Sequence, residues 1–401
     1  MPHDQIAFLG CVLVIGGMYG SRALMSIGMM VLFGNALLNT GLKTHWHSFL
    51  KRRHLVLLSG YFLLLALSGL WSANTAYWSE RLQIALPFLV LPFAFHSVSR
   101  WDVKWYDRLM VLFILLNLGG IGWSLYRYLQ QKEIYDIGYG FSKLIPTPFR
   151  NDHIRFSMSV VLCLTFCGDL LTRQKKILYR ILLFSAMAVQ VLYIHILAAK
   201  TGLISLYLVA FLFIVYLLFS VQYKRAGVLA LMVMLLLPFV MYSFLPSFKN
   251  KIGYVRYSIE QMGNKEQQAH ISDEGRLLSY RYALRSIRQH PFYGVGVGDV
   301  LDTMSAHYRR DFQDKPVTVL LPHNQFLMAG MSLGIPGVIF LCLMMLALFR
   351  TVRKNDYLYF SYCLMLLFAM MVEPLFETQY GTCLFLFFLL LLMKRSRYYL
   401  A

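Results

Sequence analysis

Residues 320–340 read LLPHNQFLMAGMSLGIPGVIF. From Gln325 onward this is an apolar run long enough to cross a bilayer, which takes about 20 residues as a helix. It opens on Pro322, His323 and Asn324: a helix breaker, a titratable ring and a carboxamide. Ionisable groups are expensive in lipid and mark function where they occur. The stretch is read as a membrane helix over 323–349 whose first turn meets an aqueous site.

Runs of the same kind lie near 5–21, 23–40, 54–71, 83–98, 108–128, 153–171, 177–198, 201–219, 226–245, 357–373 and 378–393. The chain is 58% apolar and only 14% charged, with mean hydropathy +0.56, where soluble domains carry about 25% charge. The fold class expected is all-α: a polytopic membrane helix bundle of about twelve transmembrane helices. No internal repeat is visible. The N-terminus lacks a basic region before its apolar run, so no cleaved signal peptide is expected.

A net charge of +19 would suggest nucleic acid in a soluble protein. Here the basic residues sort by membrane side instead. Lys43 and Lys51–Arg53; Arg100, Lys104 and Arg108; Arg173, Lys175, Lys176 and Arg180; Lys224 and Arg225; Arg350, Arg353 and Lys354; and Lys394, Arg395 and Arg397 fill alternate connections. With twelve spans all fall on one side, which the positive-inside rule makes cytoplasmic, together with both termini. The other side receives 129–152, the turn AAKTG at 198–202 and a long loop. The chain then divides into spans 1–9 (1–245), an external loop (246–322) and spans 10–12 (323–401).

Within the loop, SDEGRLLSYRYALRSIRQHP predicts a helix over about 273–290, capped by Ser272, with Asp273 and Glu274 in its first turn and Pro291 at its end. Tyr280, Ala283, Leu284 and Ile287 share one face, and Arg276 falls with them. A guanidinium on a docking face needs an anionic partner. Arg281, Arg285 and Arg288 form a separate stripe suited to water or lipid headgroups. Gly294, Gly296 and Gly298 follow in HPFYGVGVGDV. Their G-x-G-x-G spacing, outside any βαβ unit, is a tight turn rather than a dinucleotide site.

Arg150, Arg155, Lys200, Arg276 and His323 lie at one expected membrane depth, a set able to neutralise a diphosphate. Glu373 and Glu377 are the carboxylates at the same end of the late spans, expected to cap, to pair with a basic residue or to act as a base. No Asp/Glu cluster suggests a metal. The six cysteines, Cys11, Cys163, Cys167, Cys342, Cys363 and Cys383, all sit in apolar runs as packing residues.

In order, a loop helix opening GR, the turn HPFYGVGVGD and then PHNQFL…GIPG resemble the shared pattern of the O-antigen ligase and O-antigen polymerase superfamily. The motifs cover roughly 272–340. The resemblance implies a GT-C-like membrane glycosyltransferase acting at the periplasmic face of the bacterial inner membrane. It implies an undecaprenyl-diphosphate-linked glycan donor, a lipid A–core acceptor and no metal or other cofactor. By position, Arg276 matches the family's loop arginine and His323 the histidine of its HN motif, the favoured group for assisting the acceptor hydroxyl. Lys200, with Arg150 and Arg155, is placed toward the donor diphosphate, and Asn324 beside the sugar or the ring. Lys200 departs from the family turn, which reads S-R-G in many members and A-K-T-G here. Lysine supplies a charge without the bidentate fork. The rivals are a polymerase of the same superfamily, a transferase acting on protein Ser/Thr, and a transporter. A transporter would place its charges near the midplane among repeated elements.

Overall fold

The computed structural model describes residues 3–98, 103–260, 272–312, 318–353 and 356–399, and among them every regular element is helical. Arg100 and Lys354 lie outside the described residues, as do the side chains of Ser272, Asp273, Glu274 and Arg397. Helices close their backbone hydrogen bonds within the segment, which a chain this apolar requires wherever lipid surrounds it.

Helices α1 (His3–Tyr19) and α2 (Arg22–Leu37) form a tight hairpin. A Cβ on Gly17 would lie 2.3 Å from Met25 N, so only glycine permits this approach. Helix α3 (Leu42–Leu50) leaves α2 at 106°. Helices α4 (Arg53–Leu67) and α5 (Thr75–Ser97) make a second hairpin. There follow α6 (Val103–Gln130), the short α7 (Lys132–Tyr139), the single turn α8 (Pro148–Asn151) and α9 (His153–Arg173). Next come α10 (Ile177–Leu197), α11 (Lys200–Phe219), α12 (Lys224–Phe244) and α13 (Pro246–Glu260). Helices α14 (Ser272–Gln289) and α15 (Val300–Phe312) form an antiparallel pair, and α16 (Gln325–Phe349), α17 (Tyr357–Val372) and α18 (Gln379–Tyr399) complete the chain.

Helix α18 runs through the core: Cys383 to Leu392 are buried on every side, as an all-apolar helix inside a bundle should be. Phe113 of α6 and Phe166 of α9 pack on its Phe388, and Phe88 of α5 and Phe376 of the preceding turn pack on its Phe385. At the far end of α18, Arg395 pairs with Asp169 of α9 and with Asp356, the residue that caps α17. Helix α12 by contrast leaves most of its apolar surface uncovered.

A helix lies at each of the twelve places expected of a span. Among the described residues, seven are long and apolar enough to cross a membrane: α4, α6, α9, α10, α11, α12 and α16. The count of twelve is not reached on that measure. Helices α1 and α17 have 17 and 16 residues, α2 bends away into α3, and α5 and α18 also fall short.

Helix α16 corrects the reading of 323–349 as one continuous span. Its backbone breaks at Gly334, with φ 73° and ψ −168°. A Cβ on Gly330 would lie 3.0 Å from Val338 Cγ2, and one on Gly337 would lie 2.9 Å from Ala329 O. Residues eight apart in a straight helix are separated by about 12 Å. The two arms of α16 therefore fold back against each other. Gly334 and Pro336 are the cause, one by its dihedrals and the other by its missing N–H.

Candidate active site at the head of α16

The break in α16 leaves the helical carbonyls of its first arm without their usual donors. The glycine turn after α14 supplies new ones: Val295 N donates to Met331 O at 2.8 Å and Gly296 N to Ser332 O at 3.1 Å. In return Ile335 N donates to Pro291 O at 2.7 Å. Gly294 and Gly296 hold φ of 68° and 88°, and a Cβ on Gly294 would lie 2.4 Å from the Ser332 carbonyl carbon. The turn thus locks to the break. Asp299 fixes its other side, accepting from Ala73 N and Asn74 N, both at 2.8 Å, at the α4–α5 connection.

This lock sets α14 alongside the first arm of α16. Tyr280 Oη donates to His323 O at 2.7 Å, and one further stretch along both helices Ile287 packs on Gly330. The buried face of α14 is the expected one in Ala283, Tyr280 and Ile287 but not in Leu284. Leu278, Ser279, Tyr282, Ala283 and Ser286 are buried, whereas Leu284 is 44% exposed. The physical reason is α15. It packs Met304, His307 and Tyr308 against Tyr282 and Ser286, with Ser286 Oγ bonded to His307 Nε2 and Tyr282 Oη donating to Asp311. Arg281, Arg285 and Arg288 face outward, exposed.

Glu373, between α17 and α18, is the centre of the site. Only 2% of it is exposed. Its Oε1 accepts from Arg276 Nη2 at 2.7 Å, and its Oε2 lies 3.2 Å from His323 Nδ1. Among the described residues, His323 Nε2 makes no hydrogen bond. Burial pushes the Glu373 carboxyl up. The His323 hydrogen bond and the charges of Arg276, His323 and Arg155 outweigh burial, and its pKa ends below the usual carboxylate range. A depressed folded pKa stabilises the fold at every pH above the usual carboxylate range. That contribution fades only as pH falls through the lowered value. The Arg276–Glu373–His323 bridge is therefore intact at neutral pH.

Glu377, four residues on, has the opposite environment. Burial raises its pKa, and Arg81, 3.2 Å away, offsets this only in part. Two nearby carboxylates with opposite shifts have different tasks; Glu377 anchors α5 through Arg81.

The other candidate residues take distinct places. Asn324 works in structure: its Oδ1 caps α16 by accepting from Phe326 N and Leu327 N, and its Nδ2 donates to Met371 O at 2.7 Å. It ties the start of α16 to the end of α17, and its second amide N–H has no partner among the described residues. Arg155 is buried, with Nη1 on Asp152 at 3.3 Å and Nη2 on Pro374 O at 3.1 Å. It holds the turn bearing Glu373, and its Nε has no partner among the described residues. Arg150 is exposed on a turn where Phe149, Arg150 and Asn151 are all left-handed. Lys200 starts α11, half-buried, after the left-handed Ala198. Gly202 lets that turn close on α9, since a Cβ there would lie 2.4 Å from Ser157 Cβ.

No curated protein matches the chain. Residues 186–342 match a family model described as O-antigen ligase. That interval is less than half of the chain. It contains Lys200, Arg276, His323 and the Gly334 break, and it ends before Glu373. Over residues 186–342 the chain is thus similar to the O-antigen ligase family.

Proposed function

We propose that the protein is a glycan ligase of the bacterial inner membrane. It transfers a glycan from an undecaprenyl-diphosphate donor to a hydroxyl of the lipid A–core oligosaccharide. The observation that carries this reading is the buried, ionised Glu373 holding His323 by Nδ1, which leaves Nε2 directed away from the carboxylate. A carboxylate fixing an imidazole in one tautomer is the arrangement of a general base.

In this reading His323 Nε2 takes the proton of the acceptor hydroxyl. The acceptor oxygen then forms a bond to the anomeric carbon. The bond from that carbon to the diphosphate oxygen breaks, and its electron pair leaves with undecaprenyl diphosphate. Attack from the opposite face inverts the anomeric centre. Charge grows on the leaving diphosphate, where Arg276, Lys200 and Arg150 act. Basic connections on the other side of the bundle favour cytoplasmic termini and a periplasmic site.

A deletion strain tests the choice of reaction. Loss of a ligase leaves polymer on its lipid carrier and bare core at the surface. Core bearing single repeats would instead identify a polymerase, and unchanged lipopolysaccharide with unmodified protein acceptors would identify a protein transferase.

Glu373→Gln keeps the size of the side chain and removes its charge. Transfer should fall about ten- to a hundredfold, since one pKa unit of lost charge stabilisation corresponds to about tenfold. The rate should not recover at any pH between about 6 and 9, because the substituted amide does not ionise there; kcat measured across that range checks this.

A further inference from the structure

Three arginines at this end of the bundle spend guanidinium N–H groups on protein acceptors: Arg81 on Glu377, Arg155 on Asp152 and Pro374 O, and Arg276 on Glu373. Arg22 differs. It is the exposed first residue of α2, and its Cζ lies 5.3 Å over the ring of Tyr380. Among the described residues it forms no ion pair. Stacking engages the flat face of a guanidinium and leaves the in-plane N–H fork unspent.

The ring beneath it is rigid. Tyr380 is 4% exposed and follows directly on the turn that carries Glu373 and Glu377. Gln379 Nε2 donates to Ser26 Oγ at 2.7 Å, which joins this turn to α2. A Cβ on Gly381 would lie 1.9 Å from Leu375 O and 3.1 Å from Arg155 Nε, so the turn closes on the residues that hold the site.

The same ring stacks on Phe149, with centroids 5.1 Å apart and planes at 10°. Phe149 also packs edge-on against Tyr19 and Phe156. It begins three successive left-handed residues, a costly backbone for side chains other than glycine. The next of them is Arg150, exposed and with no ion pair among the described residues. Two arginines from distant parts of the sequence are thus tied to one buried ring, one directly and one through its chain neighbour. Among the described residues, both keep their donors open.

We propose that Arg22, stacked on Tyr380, acts with Arg150 as a phosphate-binding pair for a glycolipid substrate, at the rim of the Glu373 site. The naming of the substrate rests on the ligase reading; the anion site itself does not. The phosphate oxygens could belong to the donor diphosphate or to a phosphorylated acceptor. Planar forks suit either.

The test uses the purified full-length protein in detergent, with inorganic pyrophosphate as probe and calorimetry as readout. Arg22→Gln should weaken pyrophosphate binding roughly tenfold or more, the loss expected for a charge-assisted contact. Tyr380→Leu should weaken it in the same direction, and Tyr380→Phe, which keeps the ring, should not. Arg256→Gln, an exposed residue paired with Glu260, should bind as wild type does. In a transfer assay Arg22→Gln should raise KM with kcat nearly kept. A raised donor KM assigns the pair to the donor diphosphate, and a raised acceptor KM to the acceptor. Wild-type pyrophosphate affinity in Arg22→Gln, no binding by the wild type, or both KM values unchanged would overturn the proposal. Absence of transfer by the wild type, with pyrophosphate binding still dependent on Arg22, would sink the ligase reading and leave the anion site standing.

Discussion

His323→Ala should abolish most glycan transfer while leaving the fold in place. A positioned general base contributes about 10²–10⁴-fold to such a step, and the loss in kcat should fall in that range. The bond that holds this residue to the loop helix uses its backbone carbonyl, bonded to Tyr280 Oη, and survives the substitution. Glu373 keeps Arg276 as its partner. Losing the His323 bond to Glu373 should lower the unfolding midpoint modestly, and a variant that stays folded but does not transfer separates a chemical defect from a folding one. Arg276→Ala should also lose transfer, with a cost in stability besides. It removes a charge that helps to keep the buried Glu373 ionised, and an under-compensated buried carboxylate is destabilising. Wild-type rates in both variants would remove the site from consideration.

Gly334→Ala should be among the most damaging single changes that leave every polar group of the site intact. The φ and ψ of Gly334 fall in a region open essentially to glycine alone, and forcing another residue there costs about 1–3 kcal/mol. The added Cβ would also lie 2.6 Å from Pro291 O and 2.7 Å from the Phe292 carbonyl carbon, both backbone atoms that cannot move aside cheaply. The total should exceed about 2 kcal/mol, a large share of the roughly 5–15 kcal/mol that holds a typical protein folded. The consequence for function is indirect. Relaxing the break shifts the first arm of α16, and His323 stands at the head of that arm. Unfolding midpoint and kcat should fall together. Gly253→Ala is the matched control, because nothing lies within 4 Å of its Cβ position. An unchanged midpoint for Gly334→Ala would mean that α16 does not need its reversal.

How far these features were legible in the sequence depends on the length scale of the forces involved. Long apolar runs dictate helices through local hydrogen bonding, and a helix is found wherever such a run was read. The reversal of α16 was harder to see. Gly334, Pro336 and Gly337 are visible breakers, but 25 nearly unbroken apolar residues satisfy the length of a span just as well. Only the glycine turn at 294–298, about 40 residues earlier, supplies the donors that make the break stable. Helical periodicity placed Arg276 near the inner side of α14. It misassigned Leu284 because the true docking face is built from Tyr282 and Ser286, whose polar atoms are satisfied by α15. The Glu373–His323 contact spans fifty residues and carries no spacing signature. Arg22 was missed altogether, since nothing local announces a cation stacked on a ring at the other end of the chain. The Asp152–Arg155 pair, three residues apart at a helix start, does have a local spacing.

The most direct measurement is transfer by the purified protein in liposomes supplied with an undecaprenyl-diphosphate-linked glycan and lipid A–core. The predicted result is glycan joined to the core oligosaccharide, release of undecaprenyl diphosphate in equal amount, and loss of both in His323→Ala. Glycan appended to a second lipid-linked glycan, or product formed at the wild-type rate by His323→Ala, would contradict the account.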